Sequence, residues 1–521
     1  MRHSVFSVLA LVSVSSVLAC SSAPETLAPL AADGGPTAVG SNASPGPVGA
    51  DGGPSVPQGK PAEPPAEPTK AEQITEQFGI FVAKDGSASA PGTRAEPLSS
   101  LTDAMAKAKA AKKRVFVCEG IYEESLELES GVSIVGGLDC ATATWKLTEK
   151  RSVLKSPVSP AIHAVSITVP TRIDNFDIEA PDATDASGSS VAVLAVDSNA
   201  LTFAKGSIQA GSAMKGDDGV EGEQLTFRIE RAAQPGAPAR QCLDSVTQSF
   251  CPPTPQVGGL GGMRSCLRPS GQVAMTSEGG AGGLGGIYRR LGGAFPTWSV
   301  DNGIGSTDGA MGIPSAAGIN GTNGVSAGVG TVSAAGYVAA DGTNGTSGTA
   351  GRSGRGGNGM APLMSAEVGS RYWGSAGAGG GPGGCPGLVG MAGKGGGASF
   401  GVLGLRSPIR FDGMLVASAS GGAGGRGTFG SLPTEGGLGA DIPVAGDTNR
   451  AEWGGTGGHS GISGNGAGGP SIAISHQGGA PILTQTNTKV GAGGAGVEAR
   501  SQGGKTIPAS PTGASEGVKA L

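Results

Sequence analysis

"RVFVCEGIYEESLELESGVSIVGG" fills residues 114–137 and contains three strand-like pieces, RVFVC, SLELE and VSIVGG, separated by turn residues. Just upstream, GIFVA (79–83) alternates like a further strand. Between them, PLSSLTDAMAKAKAAKK (97–113) places Leu98, Leu101, Met105 and Ala108 on one helical face. Ser99 or Ser100 can cap the start of that helix, and lysines close its end. One capping helix followed by very short strands at close spacing predicts a solenoid, in which thin rungs stack and share one narrow core.

An internal repeat supports the same reading. SVAVLAVDSNALTFAKGSIQAG starts at Ser190, SFGVLGLRSPIRFDGMLVASASGGAGG at Ser399 and SIAISHQGGAPILTQTNTKVGAGGAG at Ser471. Each copy holds an alternating strand, a short break, a second alternating strand and then glycine. Because the glycine-rich tracts follow the same point of each copy, they are expected to leave one corner of the stack and return to it.

The stretch from Phe81 to Asp139 resembles the opening of a right-handed parallel β-helix of the pectate-lyase-like superfamily. The shared pattern is a strand, an APGT turn (90–93), a helix, then Val115, Val117, Gly120 and Tyr122, then SGVSIVGG (130–137). The resemblance implies an all-β, right-handed parallel β-helix and says little about chemistry, because many members of that superfamily are not enzymes. The expected organisation places β-helix in 78–211, 398–418 and 471–490. Glycine-rich, collagen-like inserts occupy 212–397 and 419–470, and a disordered glycine-rich tail occupies 491–521.

Composition fits a chain without a thick core. Aromatic residues are 4%, charged residues 15%, and glycines number 99 among 521 residues. Such a chain depends on repeated thin layers, backbone hydrogen bonds and cross-links. The net charge of −5 provides no basic field, so nucleic acid is not an expected partner.

The first twenty residues, MRHSVFSVLALVSVSSVLAC, carry Arg2, an apolar run from Val5 to Leu18, and Ala19 directly before Cys20. The run is too short to remain as a spanning helix and reads as a secretory signal over 1–19. It resembles the bacterial lipoprotein signal, which implies lipidation of Cys20. Ser21 and Ser22 follow, with no aspartate for inner-membrane retention, so an outer-membrane or cell-surface location is expected. Residues 20–77 are then a tether: positions 21–77 contain eleven prolines and no aromatic residue.

The glycines have a phase. Every third position from Gly303 to Gly357 gives nineteen sites, of which fourteen are glycine and five serine or alanine. Three residues per turn is the repeat of polyproline-like helices, and only the smallest residues let two such backbones touch. Collagen needs abundant proline, and this stretch has only Pro314. Polyglycine-II-type packing is therefore expected.

Without Cys20, six cysteines remain, an even number suited to an oxidising compartment. Cys118 and Cys140 stand about one rung apart and are expected to pair. Cys242, Cys251, Cys266 and Cys385 allow three pairings, and sequence does not choose among them. No CxxC occurs, so no metal or cofactor is expected.

Signals for catalysis are thin. His163, His459 and His476 lie in no nucleophile motif. Asp174, Asp177, Glu179, Asp182 and Asp185, near Arg172, could serve calcium and a general base, but alternating acids on a solvated face explain them more simply. No catalytic residue is assigned. Thr484, Thr486 and Thr488 make one TxTxT row, too little for an ice-binding face. Trp145, Tyr372, Trp373 and Trp453 could stack on sugars. The expected function is a non-enzymatic envelope lipoprotein with a structural or adhesive surface role, whose partner is the membrane through its lipid. The alternatives are a polysaccharide lyase or hydrolase, or a carbohydrate-binding protein, with an extracellular or cell-wall polysaccharide as partner.

Overall fold

The computed structural model describes residues 73–521 except 142–143, 246–247, 250–253, 292–296, 302–315, 365–369 and 442–450. The signal segment, Cys20, the tether up to residue 72, Cys251 and the first glycines of the three-residue phase lie outside the described residues. So does the side chain of Cys242.

Three parallel sheets are visited in a fixed order, and one visit to each makes one rung. The first rung is Arg114–Cys118, Gly120–Tyr122 and Leu126–Glu127, with Gly79–Val82 added to the first sheet ahead of it. The second is Ile134–Asp139, Ser152–Lys155 and Ile162–Val165, and the third is Thr171–Asp174, Phe176–Glu179 and Ser190–Val196. The fourth takes Leu201–Ala204, Ser207–Gln209 and then, far along the chain, Ser399–Leu405. Arg410–Asp412, Leu415–Ala417 and Ser471–Gln477 make the fifth, and Ile482–Thr484, Asn487–Lys489 and Ser515–Ala520 the sixth. Neighbouring rungs pair in parallel in all three sheets, an all-β architecture compatible with a parallel β-helix.

The corners explain the very short strands. Asn175, Lys205, Gly413 and Gln485 follow the first-sheet strands of successive rungs with φ of 61°, 52°, 61° and 45°. Ser166, Asp197, Arg406 and Gly478 do the same after the third-sheet strands, with φ of 55°, 52°, 50° and 73°. A single left-handed residue reverses the pleat and redirects the chain onto the next sheet. The second strand seen in each sequence repeat is therefore two strands on two sheets.

Asn175 also uses its side chain. Its Nδ2 donates to the carbonyls of Gly136 and Lys150, each at 3.2 Å, and joins two rungs at a buried corner. At the corner after the third-sheet strands, Arg406 and Asp197 of adjacent rungs form a two-point ion pair at 2.5 and 2.8 Å.

The core is a column of inward side chains, among them Val115, Ile134, Ile173, Phe203 and Phe411, all at most 3% exposed. Phe203 and Phe411 stack with ring centroids 5.9 Å apart. The helix Leu101–Ala111 closes the first rung with Leu101, Ala104, Met105 and Ala108 buried. Ser100 is its N-cap, accepting from the Asp103 amide at 3.3 Å. The Glu124 carboxylate adds to the cap, accepting from the Leu101 amide at 2.7 Å, so an acid also meets the positive end of the helix. Cys118 and Cys140 form a disulfide with Cα atoms 5.7 Å apart, tying the end of one first-sheet strand to the residue after the next. Cys266 and Cys385 form a second, with Cα atoms 5.8 Å apart.

Three long excursions, 210–398, 418–470 and 490–514, all leave after a second-sheet strand and return at a third-sheet strand. The segment 491–521 departs from its reading as a disordered tail. Arg500–Gln502 and Lys505–Ile507 form a hairpin, and Ser515–Ala520 adds a parallel strand to Ser471–Gln477. The pattern GASEGVKA looks too polar for a strand, and only the open edge of the preceding rung gives it partners.

Candidate functional site

The excursions meet in a lattice held by backbone amides. The amides of Gly348, Gly351, Gly354 and Gly357 donate to the carbonyls of Gly387, Gly384, Gly381 and Ala378 at 2.8–2.9 Å. Gly381, Gly384 and Gly387 donate in turn to Glu452, Gly455 and Gly458 at 2.9–3.0 Å. Gly455, Gly458, Gly461 and Gly464 complete the cycle on Arg352, Thr349, Thr346 and Thr343 at 2.7–2.9 Å. Each set advances three residues per bond. The three tracts bond one another in a closed ring, two from the first excursion and one from the second.

Close approach is what requires glycine here. A Cβ on Gly348 would stand 2.1 Å from the carbonyl oxygen of Gly458. At the margin, side chains replace the missing backbone neighbour. Asn320, Asn323 and Ser326 accept from the amides of His459, Ile462 and Asn465 at 2.8–3.1 Å. Thr349, Thr346 and Thr343 accept from those of Ile319, Thr322 and Val325, each at 2.7 Å. These caps also advance by three. The three-residue phase is interrupted, however: Thr331–Ser333 and Gly336–Val338 form an antiparallel hairpin in the middle of it.

The residues suspected of chemistry do not converge. Asp174 is buried and takes Arg172 at 2.8 Å on the first sheet; burial lowers the Arg114 guanidinium, an effect that the Asp174 charge opposes. Asp177 sits on the second sheet, held by Arg151 at 3.0 Å and Ser207 at 2.7 Å. Asp182 accepts from the Ser212 amide at 2.5 Å at the following corner. Glu179 ends the second-sheet strand and Asp185 lies in the turn at 185–188. Five acids close in sequence are thus spread over two faces and a corner, because each rung turns the chain away from itself. Among the described residues, no group of three or more His, Cys, Asp or Glu could hold a metal ion.

His163 and His476 lie in third-sheet strands, and His459 is exposed at the edge of the lattice. The aromatic residues do not make a sugar platform. Trp145 is 2% exposed and packs edge-on to Phe81 at 4.8 Å, Trp373 is 4% exposed, and Tyr372 is half-buried. Trp453 alone of the four is largely exposed, at 64%. The threonine row is split: Thr484 belongs to the first sheet, Thr488 to the second, and Thr486 bonds the Thr484 carbonyl at 2.9 Å.

Sequence reading missed the outer surface of the third sheet. Val191, Leu194, Val196, Phe400, Leu403, Leu405 and Ile472 form a buried cluster there, against which Val332 and Tyr337 of the hairpin pack. The signal was present: SVAVLAV and SFGVLGL are almost wholly apolar, the pattern of strands buried on both faces rather than one.

Fold and surfaces together define a protein of stacked parallel sheets carrying an amide-bonded glycine lattice. Compared with profiles of known families, with curated proteins and with solved structures, the chain finds no match.

Proposed function

We propose that this chain is a non-enzymatic cell-envelope lipoprotein, anchored at the outer membrane or cell surface through Cys20. On this reading a right-handed parallel β-helix, pectate-lyase-like in its opening, displays polyglycine-II-like segments in a structural or adhesive role. The observation that carries it is the closed ring of amide bonds among 342–357, 378–397 and 452–467. Such a lattice gains rigidity from backbone groups and leaves side chains free to vary, which suits a displayed body better than a catalytic cleft.

A second reading, a polysaccharide lyase, hydrolase or binding protein, draws on one feature. Arg172 and Asp174 are in register with Thr202 and Ala204, and these with Arg410 and Asp412, so the first sheet carries two Arg–Asp pairs two rungs apart with an uncharged rung between them. The two readings are separated with full-length protein. Expressed with its signal, it partitions to membranes and incorporates labelled palmitate, Cys20→Ala incorporates none and is either uncleaved or released from the membrane, and intact cells bind antibody against 316–360. Calcium-dependent release of unsaturated uronides from a polyuronate would overturn the first reading in favour of the second.

A further inference from the structure

The two ends of the stack differ. At the first rung the column of inward side chains is closed: Val115, Val117, Tyr122 and Leu126 are at most 3% exposed and pack in one cluster with the helix Leu101–Ala111. At the sixth rung, Leu483, Thr488 and Val518 continue the column by register behind Phe411, Val416 and Ile474. Yet Leu483 is 42% and Val518 39% exposed, and Thr488 is exposed as well. The column therefore ends in solvent.

The backbone is open there too. The amides of Ile482 and Asn487 donate to the carbonyls of Ile409 and Met414, and the carbonyls of Thr484 and Lys489 accept from the amides of Gly413 and Ser418, all at 2.9–3.0 Å. Alternate residues of a strand bond opposite neighbours. Leu483 and Thr488, each between two such residues, thus turn their N–H and C=O groups out of the stack. Ile482–Thr484, Asn487–Lys489 and Ser515–Ala520 are the edges of their three sheets, and among the described residues no strand pairs with them on that side. A solenoid end normally carries a cap, and an uncovered edge is a template for another chain.

This edge is complementary to itself. Consider a two-fold axis across the stack, through the middle of Ser515–Ala520 and the corner at Gln485. The third-sheet strand then meets its own copy antiparallel, six residues against six, and Ile482–Thr484 meets Asn487–Lys489 of the copy, three against three. Leu483 stands opposite Thr488, so the residues with outward backbone groups form the pair type that exchanges two hydrogen bonds. Their inward side chains join the two columns. In the third sheet Glu516 stands opposite Lys519 of the copy. By register both project from the outer face, Glu516 beyond Ile472 and Lys519 beyond Ser475 and Leu403, and they are ion-paired within their own strand. Two copies set these four charges in alternation.

We propose that the sixth rung is the interface of a dimer, in which a second copy of this chain caps the open column end to end. The helix at the first rung leaves no second open end, so association closes at two. The interface is independent of the anchoring and display reading, since it needs neither Cys20 nor the lattice.

Full-length protein is sedimented in density-matched detergent, with micelles in large excess over protein so that a shared micelle does not count as a dimer. A concentration-dependent dimer is expected. Leu483→Asp should weaken it at least tenfold. Lys519→Glu should do the same by placing like charges opposite one another on the outer face, away from the column, which guards against misfolding of the first variant. Exchanging both charges, Glu516→Lys with Lys519→Glu, should restore the dimer. Register is read from Leu483→Cys and Thr488→Cys, made in separate chains. Opposed residues of such a pair lie about 5.5 Å apart at Cα, within disulfide reach. Oxidation with copper phenanthroline should therefore give a covalent dimer from a mixture of the two variants and not from either alone. A monomeric wild type, a charge exchange that does not restore the dimer, a mixture that stays uncross-linked, or equal cross-linking of either variant alone would overturn the inference.

Discussion

The hydroxyl oxygen of Thr349 accepts a hydrogen bond from the amide of Ile319 at 2.7 Å, although the side chain lies at an exposed position. Its neighbour Gly348 faces inward, against the Gly458 carbonyl. The three-residue register places Gly348 correctly. The same register turns Thr349 away from that backbone contact, and its exposed hydroxyl is still used, because a marginal segment needs a side chain to satisfy an amide that has no further backbone partner.

Gly348→Val should therefore cost more than about 1–3 kcal/mol, the usual range for overpacking, since the clash is with backbone and cannot be relieved by a rotamer. Thr349→Val should cost about 0.5–1.5 kcal/mol for the lost cap, and Thr349→Ser almost nothing. Amide hydrogen exchange over 316–360 reads the order. Equal exchange in wild type and all three variants would show that the lattice is not formed.

The Cys118–Cys140 bridge spans 22 residues and the Cys266–Cys385 bridge 119. The chain-entropy relation gives roughly 3 kcal/mol for the shorter loop and about 4.7 kcal/mol or slightly more for the longer. Non-reducing peptide mapping should recover both pairs. Replacing Cys266 and Cys385 together by alanine should expose the first excursion to protease before the rungs are cut. Recovery of these four cysteines as free thiols would refute it.

Asn175 should be the least replaceable of the left-handed corner residues. Asn175→Ala leaves the Gly136 and Lys150 carbonyls short of a donor at a buried corner and keeps a backbone conformation that alanine disfavours. A loss of about 1–3 kcal/mol is expected from denaturant midpoints. Lys205→Ala, at the equivalent corner of the next rung, should lose less, because the Lys205 side chain is exposed.

Alkali should unfold the first rungs through Tyr122. This tyrosine is 3% exposed, donates to the Cys118 carbonyl at 3.1 Å, and has its phenol raised well above the usual range by burial, with Asp85 and Glu124 adding to the shift. A raised folded value means that the stabilisation is complete below the unfolded tyrosine value near pH 10. It is lost as pH rises from there towards the folded value. Denaturant midpoints should thus fall as pH rises above about 10, and Tyr122→Phe should flatten that fall. A slope unchanged by the substitution would assign it to other groups.

Much of this fold was legible locally. The helix face of Leu101, Met105 and Ala108, the short strands of 114–137 and the copies starting at Ser190, Ser399 and Ser471 are periodic signals, and periodicity survives without knowledge of partners. The glycine phase likewise announced positions where backbones touch. Tertiary structure alone decided which backbones those are: Gly348 meets Gly458 through contacts more than a hundred residues apart, and nothing in either tract names the other. It also decided that each rung has three strands, since a single left-handed residue such as Lys205 or Gln485 turns the chain and no residue type marks it. The acids near Asp174 look like a site in sequence because they are close along the chain. In space each corner sends the next one onto another face, so proximity along the chain and proximity in space part company. The apolar cluster under Tyr337 is the converse case, drawn from segments around residues 332, 400 and 472 that only the stacking of rungs and the return of the first excursion bring together.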